Sequence, residues 1–220
     1  MPRTASSSKS SAGGTTELDR LVADIRACRL CIEAPAGKPL PHEPRPVLRV
    51  SATARIAIAG QAPGTRVHKS GIPFTDPSGV RLRQWMGVTD DEFYDVTSIA
   101  IIPMGFCFPG LDAKGGDLAP RRECAPRWRA PLLELLPRLE LILLVGQYAH
   151  RWHLETGAGT RITESVRQQP PRREGANGPR LIALPHPSWR NNAWLRANPW
   201  FEAEVLPDLQ QSVRRLLDRP

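Results

Sequence analysis

The sequence predicts an α/β protein: a three-layer α/β/α sandwich around a mostly parallel central sheet of about four strands. Two observations carry this. Four short apolar runs, "RIAIAG" (55–60), "VTSIAIIP" (96–103), "LELILLVG" (139–146) and "RLIALPHP" (180–187), are near-continuous rather than alternating. Strands covered on both faces read this way. Between the runs lie stretches with helical spacing of apolar residues, and strands alternating with helices favour parallel pairing. A length of 220 residues suits one domain with a full hydrophobic core.

The elements follow in order. Residues 1–16, "MPRTASSSKSSAGGTT", are small, polar and free of aromatics, so a disordered tail is expected before a single domain over 17–220. Glu17 to Cys28 reads as a helix with Leu18, Leu21, Val22 and Ile25 on one face. The proline-rich stretch 33–48 reads as an extended surface connection. After the first strand comes "GQAPGTRVHKSGIPFTDPSG" (60–79), with too many glycines and prolines for helix or strand. Helices are expected over 78–86, 121–136, 147–153 and 199–217.

Composition narrows the class. No apolar run approaches a bilayer span and no signal-peptide stretch opens the chain, which leads to the expectation of a soluble cytoplasmic protein. The formal net charge is +8, and of 30 basic residues only Lys9, Lys38, Lys69 and Lys114 are lysines. Arginine contacts phosphate bidentately, which fits a nucleic-acid partner; a GC-rich genome produces the same bias. Cys28 and Cys31, in "CRLC", are followed by Cys107 and Cys124. In a cytoplasmic chain the two-residue spacing points to a metal site rather than a disulfide. Spacing leaves zinc, an iron–sulfur cluster and scattered buried thiols all open.

In open parallel sheets, ligands bind beyond the carboxyl ends of the strands, so the loops after Gly60, Pro103, Gly146 and Pro185 matter most. The glycines of 60–64 let a backbone approach a ligand with N–H groups outward. A phosphate-binding P-loop would need glycine at Pro63 and His68, and no GxGxxG is present. In "LPHPSWRNNAWL" (184–195), His186 stands between a strand end and a proline, where an imidazole can donate to a developing anion or serve structure alone. Trp189, Arg190, Asn191, Asn192 and Trp194 then interleave rings with arginine and amides, as in a nucleic-acid wedge or a packed surface corner.

Taken in order, "CRLC", "GQAPG" (60–64), "GIPF" (71–74), "SG" (78–79), Cys107, Cys124 and "HPS" (186–188) resemble the uracil-DNA glycosylase superfamily. The resemblance is greatest to its iron–sulfur family 4 branch and runs from about Leu18 to the C-terminus. It implies the uracil-DNA glycosylase-like α/β/α fold and a monofunctional DNA glycosylase acting in base excision repair near the nucleoid. Such enzymes flip a damaged nucleotide out of DNA and hydrolyse its N-glycosidic bond. By the same resemblance Phe74 stacks on the base, with Gly60 and Ser98 also lining the base site. His186 stabilises the leaving uracil with backbone N–H groups around Gln61 and Ala62. Ser188, Trp189, Arg190 and Asn191 contact DNA. Cys28, Cys31, Cys107 and Cys124 hold a [4Fe–4S] cluster without a catalytic role.

The sequence departs from the family at several places. The glutamate of the family's GEAPG is Gln61, and the aspartate of the family 1 enzymes is Ala62. Asp76 and His68 are available to assist water, or are surface polar residues. The asparagine expected four residues before the third cysteine is Pro103, with Ser98 or backbone near Met104–Gly105 as substitutes. Xanthine, hypoxanthine or oxidised uracil thus join uracil as substrates to consider. The segment 108–122 is a DNA-facing loop or a solvated connection. Two further functions are compatible: a non-catalytic iron–sulfur nucleic-acid-binding relative, and a hydrolase on free nucleosides.

Overall fold

The computed structural model describes residues 15–157, 159–169 and 178–219. The expected tail lies outside them except for its last two residues, and Thr16 belongs to the domain. Its side chain accepts from Asp19 N while Asp19 reaches back to Thr16, a capping box. Along the chain come α1 (Glu17–Arg26), α2 (Leu30–Glu33), β1 (Ile56–Ala59), α3 (Thr65–Ser70), α4 (Pro77–Met86), α5 (Asp90–Tyr94) and β2 (Ile99–Ile101). Then follow α6 (Cys124–Glu134), β3 (Leu141–Val145), α7 (Gln147–His153), α8 (Ile162–Gln168), β4 (Arg180–Leu184), α9 (Asn192–Ala197) and α10 (Leu206–Leu217). A π-helical turn, Phe201–Val205, runs into α10.

The four strands pair in the order β2-β1-β3-β4, all parallel. Alternate side chains divide between two cores, as the period of two requires. Ile56, Ile58, Ile99, Ile101, Leu141, Leu143 and Val145 pack with Leu82 and Met86 of α4 and Leu209 and Val213 of α10. Ala57, Ala59, Ala100, Ile142 and Leu144 pack with Ile25 of α1, Leu132 of α6 and Ala149 of α7. Burial on both sides explains the unbroken apolar runs. Both outer strands are engaged beyond the sheet: Arg49 pairs antiparallel with Ile101, and the Gln169 side chain both donates to and accepts from the Ala183 backbone at 2.9 Å.

Two readings of the sequence change. The 60–79 segment contains a helical turn, α3, because its glycines and prolines cluster at the ends and leave Thr65–Ser70 free to coil; Gly71, at φ +74°, closes it. The proline-rich stretch is not all surface: Leu40 packs on Cys31 and Cys107, and Val47 and Leu48 are buried.

Arg129 of α6 is almost wholly buried. It donates to Ile102 O (3.0 Å), Pro103 O (3.4 Å) and His153 Nε2 (2.9 Å), so one guanidinium ties α6 and α7 to the carboxyl end of β2. Burial first, and Arg129 second, push His153 from its ordinary 6.5 down to about 3. An unfolded chain binds a proton there that the native state refuses, so stability is lost as pH falls from about 6.5 towards 3. In His153→Gln, which keeps an acceptor for Arg129, the urea midpoint should fall less steeply over that range. An unchanged slope would mean that His153 does not set the acid response.

Candidate active site at the carboxyl edge of the sheet

The strand order reverses between β1 and β3, since β1 leads to β2 on one side and β3 lies on the other. This is the switch point at which open parallel sheets bind ligands. Gly60 follows β1 and Gly146 follows β3, so two glycines stand side by side at the crevice. Each has a ring against it. A Cβ on Gly60 would be 3.2 Å from Phe74 Cζ, and one on Gly146 would be 3.4 Å from His186 Cβ and 3.6 Å from its Cδ2. The absence of side chains at Gly60 and Gly146 is what lets Phe74 and His186 lie over the strand ends.

Phe74 adopts φ +58°, a left-handed conformation that a bulky residue rarely takes. Its carbonyl oxygen would lie 1.8 Å from a Cβ on Gly79, so α4 approaches only because residue 79 has none. Arg83 donates to the Phe74 carbonyl (3.3 Å), and Tyr94 Oη donates to the Pro73 carbonyl (2.9 Å). Arg83 is itself paired with Asp90 at 2.7 Å. Phe93 meets the Phe74 ring edge-on at 6.0 Å. Asp76 caps α4 by accepting from Gly79 N.

His186 is half-buried beyond β4. Ser188 N–H donates to its Nδ1 at 3.2 Å, so in the neutral ring the proton is on Nε2, which becomes a donor. Burial lowers its pKa from the ordinary 6.5, with the Asp76 carboxylate pulling the other way. Asn191 Nδ2 holds the His186 carbonyl at 2.7 Å. His150 Nε2 lies 3.0 Å from both the Leu144 and Leu184 carbonyls, joining the ends of β3 and β4. Arg81 of α4 reaches Ser188 O at 3.2 Å. That bond links the Phe74 loop to the His186 loop. Beyond them Trp189 is 69% exposed, with the Arg190 guanidinium 5.7 Å from its ring centre.

The backbone of motif Gly60–Gly64 is braced from the loop after β2. Met104 N donates to Gly60 O (2.8 Å) and Gly105 N to Gln61 O (3.0 Å), which commits the backbone donors considered as an asparagine substitute. Gln61 Nε2 reaches Leu118 O at 3.5 Å, and Ala62 is half-buried between them. Ser98 is a correction. It precedes β2, at the amino end of the sheet, where its Oγ donates to Asp95 at 2.6 Å and its carbonyl accepts from Arg55 and Ile56. A parallel strand delivers only its other end to the crevice, so Ser98 does not line it. His68 is likewise turned away, in a ring cluster with His42 and Phe108 at 4.4 and 5.6 Å.

The four cysteines, from three separate parts of the sequence, line one pocket with Ile25, Phe106 and Trp128. None is in a disulfide. Burial raises the Cys107 and Cys124 thiols to about 12, and Phe106 N donates to Cys124 Sγ at 3.4 Å. Among the described residues no three His, Cys, Asp or Glu side chains are placed to hold a single metal ion.

Gly79→Ala should cost about 2 kcal/mol or more, since its Cβ meets backbone rather than a movable side chain. Val80→Ala, at an exposed neighbour, should stay within about 0.5 kcal/mol. Equal urea midpoints for the two variants would contradict the contact.

One comparison with known families bears on these loops. The model of the uracil DNA glycosylase superfamily matches residues 49–210. That span holds all four strands, the glycine-rich loop, Phe74 and the HPS segment, and it starts beyond Cys31. Members of that superfamily are generally glycosylase hydrolases acting on DNA. By that match, and by the α/β/α fold with its crevice at the β1–β3 switch point, the chain belongs to the uracil DNA glycosylase superfamily.

Proposed function

We propose that the protein is a monofunctional DNA glycosylase that removes uracil, or a related deaminated base, flipped out of DNA. The observation that carries this reading is His186: a half-buried ring whose Nδ1 is occupied by Ser188 N–H, leaving Nε2–H as a fixed donor over the switch point. As the glycosidic bond breaks, negative charge gathers on the base, and a preorganised, half-buried donor stabilises it at little reorganisation cost. Phe74 supplies the aromatic wall of the base site, and the backbone N–H groups at Gln61 and Ala62 assist. Trp189 and Arg190, with Ser188 and Asn191 beneath them, supply the surface that holds the opened duplex. With Pro103 where the family has an asparagine, its carbonyl held by Arg129, no amide is available from that position to read a pyrimidine edge. Xanthine, hypoxanthine and oxidised uracil are therefore candidate substrates beside uracil.

We also propose that Cys28, Cys31, Cys107 and Cys124 hold a [4Fe–4S] cluster, as in the iron–sulfur branch. Four thiols on one pocket supply the donor set such a group takes, and an N–H donated to sulfur, as from Phe106 N to Cys124 Sγ, is a feature of such sites. Soft thiolates suit iron–sulfur chemistry. When bound, the group cross-links the α1–α2 region to the loop after β2 and to the start of α6.

Base release from labelled single- and double-stranded oligonucleotides carrying uracil, xanthine or hypoxanthine tests the activity. Release by the wild type should fall about 100- to 1,000-fold in His186→Ala. Tight binding without release favours a non-catalytic relative, and release from free deoxyuridine but not DNA favours a nucleoside hydrolase. For the cysteines, anaerobically purified protein should be brown and carry about four iron atoms per chain, lost in Cys124→Ala. Stoichiometric zinc, or no metal, would overturn the cluster.

A further inference from the structure

A glycosylase that hydrolyses its bond needs a water held at C1′ of the sugar, and Gln61 and Ala62 offer no carboxylate for it. The carboxylates near the crevice differ in what they already do. Asp76 is engaged with Gly79 N–H at the head of α4 (3.2 Å). Asp112 accepts from Lys114 N and Gly116 N, both at 2.8 Å. These bonds close a tight turn, with Asp112 N donating to Gly116 O (2.7 Å), Leu118 N to Gly110 O (3.0 Å), and Leu111 bridged to Asp117. Gly110 and Gly115, at φ +99° and +73°, make the turn possible. The turn is thus an exposed arm held in shape by its own hydrogen bonds.

At the end of that arm stands Asp117. Its Oδ2 would be 3.2 Å from a Cβ on Gly64, so the carboxylate lies against the backbone that closes the motif. The neighbouring Leu118 carbonyl lies 3.5 Å from Gln61 Nε2, a second, exposed contact between arm and motif. No hydrogen bond among the described residues engages the Asp117 carboxylate.

Resting on the glycosylase reading, we propose that Asp117, seated on Gly64 by the 110–118 turn, is the carboxylate that positions and deprotonates the attacking water. The C1′–N bond breaks and its electron pair leaves on the base, whose anion is held by His186 Nε2–H. The water oxygen bonds C1′, and the water proton passes to the Asp117 carboxylate and on to solvent. The departed base takes up a proton from solvent, leaving free base and an abasic sugar. A carboxylate beside the cleaving sugar also stabilises the positive charge that develops there. Although the residue is exposed as a whole, loss of water around the carboxyl raises its pKa, with Arg190 opposing and Asp76 and Asp112 adding. A carboxylate raised in this way is a better base.

Single-turnover base release tests the assignment on full-length protein, using whichever of the three lesion oligonucleotides is released fastest. Asp117→Asn should slow release about 100-fold without weakening binding to abasic-site DNA. Wild-type release should rise with pH as the carboxyl ionises, and this rise should vanish in the asparagine variant. Asp117→Glu should restore part of the rate. Wild-type rate and pH profile in Asp117→Asn, with His186→Ala still impaired, would overturn Asp117 alone. A slow variant that keeps the pH profile and is not rescued by glutamate would also overturn it, as a purely structural effect. No release by the wild type from any of the three would overturn the glycosylase reading as well.

Discussion

The crevice depends on a contact between two backbones. Phe74 can point its ring over Gly60 only in a left-handed conformation, which costs of order 1–3 kcal/mol, and its carbonyl can face α4 only because residue 79 is glycine. Arg83, Tyr94 and the Asp76 cap then hold the loop from three directions. The same helix sends Arg81 to the Ser188 carbonyl. The aromatic wall, the donor imidazole and the exposed Trp189–Arg190 tip are therefore positioned together. Strain stored at one residue is over-determined by its surroundings, the usual condition for its persistence at a functional site.

The electrostatics of the crevice run against those of the chain. The protein carries a formal +8, yet the Asp117 carboxylate feels Asp76 and Asp112 near the strand ends, with Arg190 opposing them. Basic residues elsewhere meet the general requirement for binding a polyanion. A local concentration of carboxylates suits a cleavage in which the sugar becomes transiently cationic and the base anionic. Under the proposed function His186 answers the second charge and the carboxylates answer the first.

The sheet was legible because each strand is apolar on both faces, and the crevice because its glycines and HPS segment follow strands directly. What escaped the sequence was non-local. Ser98 lies in the second apolar run, but only the pairing of β1 with β2 shows which end of that run faces the crevice. His68 looks available in a polar loop until His42 and Phe108 close around it. The order within 108–122 was not legible, because the bonds that shape it join residues of one glycine-rich turn and the Gly64 on which Asp117 rests is more than fifty residues away. The convergence of four cysteines on one pocket is non-local too, and Leu40, from a proline-rich stretch that composition places on the surface, packs on two of them.

The flanks of the sheet have a consequence of another kind. A parallel sheet of four strands has two outer strands whose unpaired N–H and C=O groups can template addition of a strand from a neighbouring molecule. Here the Ile101 position on one side is taken by the Arg49 backbone, at 3.0 and 2.7 Å. The Ala183 position on the other is taken by the amide of the Gln169 side chain, which imitates one peptide unit of a fifth strand. With those groups occupied, intermolecular strand addition there must first break native hydrogen bonds. Each outer strand thus meets a neighbouring molecule with one backbone position already filled.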